Sequence, residues 1–386
     1  MPPASYSTGM TGAQATSRGA GTRGRIITLF RVITLPSADM HAGGTFPRRV
    51  SDFWAGNLGM TSTVCDSRLN LPQLPPRHVS RSRLLAKLDD AADSPLTLLA
   101  AGPGAGKTVL LTEWSRRSDA RVAWLSLAAA DAEPRRFWGL LISALRECDG
   151  GERDLPDAMP PGAAIDLVQS LFSAEPAARL VVVIDDADVL THPEILAGLD
   201  RLIRSRQPGL RLVMAADSDP LMPLHRYRLD GLMRELRAAD LAMTTAEIRE
   251  VLALHGVTLG ERDRGLLAAR TEGWAAGVRL SAMRMEGAEY PADFVSSLAL
   301  YQGSISEYLV DGVLRQQPEA QRRLLIETSF LDEVTGPVAD RVTGMTGCGE
   351  MLADLARENP FVIPLDEAQT RFRYHQLFAE VLRYLV

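Results

Sequence analysis

One stretch, Leu96–Val109 (LTLLAAGPGAGKTV), constrains the fold of this chain more than any other. An apolar run, Leu96–Leu99, enters a glycine-rich turn that ends in Lys107-Thr108, and a helical pattern follows. Strand, glycine turn and helix in this order form a P-loop, whose backbone N–H groups and helix N-terminus favour a phosphate. The stretch therefore predicts an α/β fold of the P-loop NTPase type, with a parallel sheet and helices on both faces.

The end of the turn carries the chemistry of this motif. Lys107 can reach the β- and γ-phosphates of a nucleotide, and the Thr108 hydroxyl can be a ligand of Mg²⁺. The strict pattern has glycine at position 101, where this chain has Ala101, the mildest departure. The turn therefore predicts these nucleotide-binding residues: Gly102, Gly104, Ala105, Gly106, Lys107, Thr108 and Val109.

A second apolar run places two acidic residues at the end of a strand. Leu180–Ile184 is continuously apolar, which is typical of a strand buried on both faces, and Asp185-Asp186 follow it. Asp185 is predicted to hold Mg²⁺, and Asp186 to orient or deprotonate an attacking water. With Lys107 these two carboxylates are the predicted catalytic residues. A solvated loop tip is the alternative interpretation of the two carboxylates.

The pattern changes along the chain and predicts four parts. Residues 1–70 are rich in small and polar side chains and are expected to be a disordered leader, or a mis-called one with the true start near Met60. Strands alternate with helices over 71–240, and only helical patterns follow over 241–317. Residues 318–386 read as helices, two short strands and a last helix, which is typical of a winged-helix domain.

Charge and composition exclude several classes of protein. The overall charge is −6, but residues 1–83 hold ten arginines and three acidic residues, so the remainder carries −13. An acidic body is a poor nucleic-acid binder, and residues 336–386, with five arginines and seven acidic residues, predict a structural lid rather than a DNA reader. Three scattered cysteines argue against disulfides and zinc and favour the cytoplasm. The sequence contains no run of eighteen apolar residues, so no membrane span is predicted.

Several stretches, in this order, resemble the STAND class of P-loop ATPases, in the MalT-like branch of large LuxR-type transcription regulators. The resemblance runs from about Leu74 to the C-terminus. It implies a switch in which ADP holds a closed monomer, whereas an inducer and ATP open it and permit self-association. It also implies contact with DNA only through a C-terminal helix-turn-helix domain that these residues lack. The stretches are PPRHVSRSRLLAKL, AGPGAGKT, VAWLSL with PRRFWGLLISAL, LVVVIDDAD, RLVMAADSDPLMPLHRYRL, ELRAADLAMT, ARTEGWAAGVRLSAM and FRYHQLFAEVLR.

The resemblance also implies roles for residues outside the turn. Val79 and Arg81 stand in the entry motif that flanks adenine, and His375 stands where a winged-helix histidine reaches the β-phosphate of ADP. Two positions depart from the family pattern. Asp217 replaces an arginine that senses the γ-phosphate, with Arg226 or Arg228 nearby as possible compensation, and Ala275 replaces a proline beside the nucleotide.

These patterns favour a regulatory switch that binds ATP and ADP with Mg²⁺, hydrolyses ATP slowly and self-associates when ATP is bound. Asp217 keeps open a second hypothesis, a non-hydrolysing nucleotide-binding interaction module, because an anion near the phosphates is repulsive. A third hypothesis, a plain P-loop NTPase enzyme, lacks support because the sequence contains no acceptor site and no second nucleotide motif. No membrane partner is expected.

Overall fold

The computed structural model describes residues 68–91, 93–148, 161–174, 179–296 and 304–385. They lie in one compact unit, Thr63–Val386. The leader predicted over residues 1–70, with its alternative start near Met60, lies outside the described residues except for its last three positions.

A five-stranded parallel sheet forms the first half of the described chain. Its strands are β1 (Leu96–Ala100), β2 (Arg121–Ser126), β3 (Leu180–Asp185), β4 (Leu210–Ala216) and β5 (Met233–Arg237). The spatial order is β2-β3-β4-β1-β5, with every neighbouring pair parallel. The three central strands, β3, β4 and β1, are buried along their whole length. This burial explains why these strands read as continuous apolar runs.

Helices cover both faces of this sheet. They are α1 (Ser82–Asp90), α2 (Lys107–Arg117), α3 (Pro134–Cys148), α4 (Pro161–Ala174), α5 (Pro193–Ser205), α6 (Leu224–Leu229) and α7 (Ala238–Leu241). On one face α3, α4 and α5 pack against alternate strand residues such as Leu98 and Met214. On the other face α1 and α2 pack against the intervening residues, such as Leu99 and Val213. The predicted fold class is confirmed.

Helices dominate after β5, and a small antiparallel sheet follows them. The helices are α8 (Thr245–Leu254), α9 (Glu261–Thr271), α10 (Ala275–Met285), α11 (Pro291–Ser296), α12 (Ser304–Gly312), α13 (Glu319–Glu327), α14 (Gly336–Thr343), α15 (Cys348–Glu358) and α16 (Gln376–Tyr384). Strands β6 (Val334–Thr335), β7 (Val362–Pro364) and β8 (Arg371–Tyr374) pair in the order β6-β8-β7. None of the described helices is long and apolar enough to cross a lipid bilayer.

Helices α8 to α16 share one hydrophobic core with each other and with the small sheet. Ile248 of α8, Leu309 of α12 and Phe378 of α16 are all fully buried members of it. The core therefore does not separate residues 241–317 from 318–386, and the predicted domain boundaries stay predictions. Strand β6 was not predicted, because two residues are too few to show the alternation of apolar and polar side chains that is typical of a strand.

Candidate functional site

The glycine-rich turn joins β1 to α2 at the carboxyl end of the sheet. Gly104 has φ 76° and Gly106 has φ 89°, a left-handed conformation that glycine adopts without strain. Ala101 continues the strand, and its N–H donates to the carbonyl of Ala216 at 3.2 Å. Its φ is not positive, so alanine fits at position 101 in place of the usual glycine. The first N–H groups of α2, which begins at Lys107, have no partner within the helix and can bind an anion.

Lys107 is buried and bonded to three oxygen atoms. Its Nζ donates to the carbonyls of Ala101 at 2.5 Å and Gly102 at 3.3 Å, and to the Asp217 carboxylate at 2.7 Å. An ammonium group has three N–H donors, so these acceptors use all of them. Asp217 follows β4, whose Ala216 lies beside Ala100 of β1, and this pairing brings the two side chains together. The ion pair was not predicted from the sequence.

Thr108 and Asp185 meet beside the turn. The Thr108 hydroxyl donates to one Asp185 carboxylate oxygen at 2.8 Å, and the other oxygen, Oδ1, is buried without a hydrogen-bond partner. Burial, together with the charge of Asp186, raises the pKa of Asp185 to about 6. A buried carboxylate oxygen without a partner, next to a hydroxyl, fits a hard cation such as Mg²⁺.

The metal would need ligands beyond the protein. No group of three or more His, Cys, Asp or Glu side chains able to hold a metal occurs among the described residues. Mg²⁺ is usually bound by one or two protein oxygens with phosphate oxygens and waters. Thr108 and Asp185 therefore fit a cation that arrives with a phosphate ligand.

Asp186 lies in a strained backbone conformation at the tip of β3. Its φ of 57° is uncommon outside glycine and is a form of strain found at functional sites. Its side chain is exposed. Three residues after Asp185, Asp188 accepts a hydrogen bond from the Asp217 N–H at 3.3 Å. The acidic tips of β3 and β4 are thus linked directly.

A cavity of about 220 Å³ opens on the side of the turn next to α8 and α10, and we call it the Val79 cavity. Apolar side chains and the glycine turn line much of it, including Val79, Met243, Val251, Ala275, Gly104, Gly106 and Val109. Apolar walls beside a phosphate-binding turn suit the flat face of a nucleobase. The structure therefore brings Val79 next to the turn, as the family resemblance implies, and Ala275 contributes to the same wall.

Arg81 lines the Val79 cavity, but its guanidinium N–H groups bond to acceptors of the protein. Its guanidinium donates to the carbonyls of Leu241 at 2.6 Å and Ala105 at 3.5 Å, and it lies 3.5 Å from Glu247. Burial lowers the pKa of Arg81, and the Glu247 charge opposes this shift. These contacts tie α1 and the turn to the start of the helical region, so Arg81 positions the cavity wall.

His375 lies in a second cavity, of about 350 Å³, on another side of the turn. Ala101, Gly102, Ala105, Trp274 and Pro360 also line it. His375 Nε2 lies 3.1 Å from the Thr271 carbonyl, which can only accept, so this nitrogen carries a proton. Its Nδ1 is buried without a hydrogen-bond partner, and burial lowers the pKa of the ring. His375 must gain a second proton, or release Thr271, to donate to a phosphate.

Three further contacts close the helical region and the winged helix over the turn. Trp274 Nε1 donates to the carbonyl of Pro103 at 3.0 Å, and the Ala276 N–H donates to the carbonyl of Gly104 at 3.0 Å. Gly102 packs so closely on Pro360 that an added Cβ would lie 1.9 Å from the proline Cγ. Trp274 and Pro360 were not predicted site residues. The family pattern placed Ala275, the neighbour of Trp274, beside the nucleotide, but no sequence pattern singled out Pro360.

Arg228 does not compensate for Asp217 in this structure. Two of its three guanidinium nitrogens donate to Glu235, at 2.5 and 3.0 Å, and Arg226 is exposed on α6. A larger cavity, about 1040 Å³, lies at the amino ends of β3 and β4, around Arg211. No predicted site residue lines it, and ligands of open α/β sheets bind at the carboxyl ends of strands.

Comparisons with known proteins agree with this architecture. Residues 310–386 match the model of the MalT winged helix domain. The HTH-type transcriptional regulators MalT of Yersinia enterocolitica and Serratia proteamaculans are 29% and 28% identical to this chain over 327 residues. Each match covers 82% of this chain and 36% of the relative. The chain thus spans about a third of the length of the curated relatives it matches.

The Walker-type ATPase of Pyrococcus abyssi has a similar solved structure. The TM-score is 0.59 at 14% identity, over 81% of this chain and 99% of that one. At this identity the likeness concerns the fold alone. The predicted resemblance to MalT-like regulators, with a P-loop ATPase sheet and a MalT-type winged helix, is confirmed.

Proposed function

We propose that this chain is the ATP- and ADP-binding regulatory switch of a MalT-like transcription regulator. One observation carries the proposal: Lys107, Thr108 and Asp185 converge on one glycine turn, with the Val79 cavity beside it. The likeness to MalT regulators supports a role in regulation. We extend the proposal to slow ATP hydrolysis coupled to self-association.

The residues in and around the turn would have different roles in nucleotide binding and hydrolysis. Backbone N–H groups and Lys107 would hold the β- and γ-phosphates. Thr108 and Asp185 would hold Mg²⁺, which supplies positive charge against the phosphates when bound. Asp186, exposed beside them, would orient the water that attacks the γ-phosphorus and accept its proton. Asp217 places a negative charge next to Lys107 and supports a slow reaction.

Contacts above the turn would couple nucleotide state to shape. Trp274 and Ala276 bond to the turn, and Pro360 packs on Gly102. A nucleotide that moves the turn must therefore move α10 and the winged helix or break these contacts. We propose that ADP keeps this arrangement closed, with His375 near the β-phosphate, and that ATP opens it.

The winged helix is proposed as a lid. Two arginines of β8 are already paired, Arg371 with Glu333 at 2.6 Å and Arg373 with Glu272 at 2.7 Å. Paired arginines have little charge to offer to phosphates of DNA. DNA contact is proposed only for a helix-turn-helix domain outside these residues, and the cytoplasm stays the proposed location.

A second candidate function is a nucleotide-binding interaction module that does not hydrolyse ATP. The Lys107–Asp217 ion pair favours it, because the cation needed by the γ-phosphate already has an anionic partner. Turnover of ATP separates the two functions: slow release of inorganic phosphate supports the switch, and its complete absence, with ATP bound, supports the interaction module.

The first prediction concerns Lys107, one of two lysines in the chain. Lys107→Ala should weaken ADP and ATP binding at least about a hundredfold, because a charge-assisted contact to phosphate is lost. Isothermal titration calorimetry with each nucleotide and Mg²⁺ measures the affinities. Lys87→Ala is the matched control, since Lys87 is an exposed partner of Asp240. Equal nucleotide affinity of the Lys107→Ala variant and the unmodified chain would refute the site.

A further inference from the structure

Asp217 directly follows β4, and its carboxylate bonds to Lys107 beside the glycine turn. Its carboxylate is 2.7 Å from Lys107 Nζ, and its own N–H donates to Asp188 at 3.3 Å. Its position follows directly from strand pairing, since Ala100↔Ala216 are partners in β1 and β4. The backbone therefore holds the carboxylate at the strand ends next to the turn.

Several carboxylates lie at the strand ends next to Lys107. Asp185, Asp186 and Asp188 follow or end β3, and Asp217 follows β4 next to it. Burial and the Asp217 charge raise the pKa of Tyr308 on α12, so the field of Asp217 also reaches the helical region. Arg228 does not neutralise Asp217, because it is bonded to Glu235.

A diphosphate and a triphosphate meet this arrangement differently. In a P-loop the lysine contacts both the β- and the γ-phosphate. A diphosphate can bind the turn N–H groups, and its β-phosphate can replace a backbone carbonyl on Lys107 while the Lys107–Asp217 pair stays in place. A triphosphate must bring its γ-phosphate against the same ammonium, where it either displaces Asp217 or lies beside it, and like charges at contact distance repel.

We propose that Asp217 makes this site select a nucleoside diphosphate over a nucleoside triphosphate, by occupying the side of Lys107 that a γ-phosphate would contact. The carboxylate acts as a built-in substitute for the third phosphate. The inference rests on the proposed nucleotide binding and adds a specificity residue to it. In the resting switch, ADP is then the preferred ligand, and ATP has to compete against the protein's own anion.

The test compares ADP with ATP on the full chain. Displacement of a fluorescent ADP analogue by ADP or ATP, with and without Mg²⁺, gives both affinities for the unmodified chain and the Asp217→Asn variant. We expect the unmodified chain to bind ADP at least about tenfold more tightly than ATP, and Asp217→Asn to lose most of that ratio through tighter ATP binding.

Asp219→Asn is the matched control. Asp219 lies two residues further along and pairs with Arg237, away from Lys107. Its substitution should leave the ADP-to-ATP ratio unchanged. If the unmodified chain binds ADP and ATP equally tightly, the inference is wrong. This result needs no variant, so the test remains decisive even if Asp217→Asn does not fold.

Two other outcomes separate this inference from the proposed function. If the unmodified chain binds both nucleotides and Asp217→Asn keeps the same ratio, the role of Asp217 is wrong and nucleotide binding stands. If neither the unmodified chain nor Asp217→Asn binds the fluorescent analogue, or if ADP and ATP fail to displace it, the proposed nucleotide binding is wrong and the inference is wrong with it.

Discussion

At the scale of single residues, Asp185 carries the clearest conflict between folding and chemistry. One of its carboxylate oxygens is buried without a hydrogen-bond partner, and burial raises the pKa of the carboxyl to about 6. The charged form is therefore less favourable in the folded chain than in the unfolded one. Groups whose pKa is shifted by burial cluster at functional sites.

Asp185→Asn should stabilise the nucleotide-free protein. The pKa rises from 3.8 to about 6 on folding, which corresponds to a penalty of up to roughly 3 kcal/mol at neutral pH. Asparagine keeps the oxygen that accepts from Thr108 and removes the charge, but its NH2 group replaces the buried oxygen that has no partner, which offsets part of the gain. We expect a net gain of up to about 2 kcal/mol in the free energy of unfolding at pH 7.5, measured by urea denaturation.

The pH dependence of this gain has a definite sign. Because the folded state binds the proton more tightly, stability falls as pH rises between about 4 and 6. The advantage of Asp185→Asn should be complete above about pH 6 and shrink toward pH 4. Asp131→Asn is the control, because it should change the free energy of unfolding at pH 7.5 in the opposite direction. Asp131 is buried against Arg68 and Arg136, and removing its charge should destabilise the protein by about 3 kcal/mol. A destabilised Asp185→Asn variant at pH 7.5 would contradict the argument.

At the scale of elements, the contact between the turn and the winged helix depends on a missing Cβ. A Cβ on Gly102 would lie 1.9 Å from Pro360 Cγ and 2.3 Å from its Cβ. A proline ring cannot move aside as a flexible side chain can. The turn and the segment before β7 approach each other only because position 102 is glycine.

Gly102→Ala should push the winged helix away from the turn. We expect a loss of about 1–3 kcal/mol in stability from overpacking, and faster hydrogen exchange in β7 and the start of α16. Gly139→Ala is the matched control. Gly139 lies inside α3 with nothing within 4 Å of the added Cβ, so that variant should gain about 0.5–1 kcal/mol. Unchanged exchange at β7 in Gly102→Ala would show that this contact does not hold the lid.

At the scale of the whole molecule, Trp274 connects three regions at once. Its indole bonds to the turn, and its rings contact Tyr308 of α12 and Phe361 of the winged-helix region at centroid distances of 5.4 and 5.3 Å. Arg81 adds a second connection through the carbonyl of Leu241. A change at the phosphates can therefore reach the helical region and the winged helix through these contacts.

We expect the oligomeric state to follow the nucleotide. With ADP and Mg²⁺ the chain should sediment as a monomer, because we propose that ADP leaves the contacts of Trp274 and Pro360 with the turn in place. A slowly hydrolysed ATP analogue at high concentration should break them and yield a faster-sedimenting species. Sedimentation velocity at several protein concentrations measures this. Identical profiles with both nucleotides would contradict a switch based on self-association.

The sequence by itself determined the parts that depend on neighbouring residues. Continuous apolar runs predicted β3 and β4 because central strands are buried on both faces, and the glycine turn predicted the order strand, loop and helix. Thr108 and Asp185 could be paired in advance because parallel strands bring their carboxyl ends to one edge. The resemblance to a known family supplied Val79 and His375.

Only the tertiary structure decided which groups face each other across that edge. The sequence identified Asp217 as a misplaced charge, but its bond to Lys107 depends on the register of β1 against β4, which joins residues 110 positions apart. The same holds for Pro360 on Gly102 and for the bond of His375 to Thr271. Side-chain direction and close backbone approach arise from packing between distant segments, so local patterns do not contain them. The glycine turn predicted where a phosphate would bind. The contact of Asp217 with Lys107 is the reason why we expect a diphosphate there rather than a triphosphate.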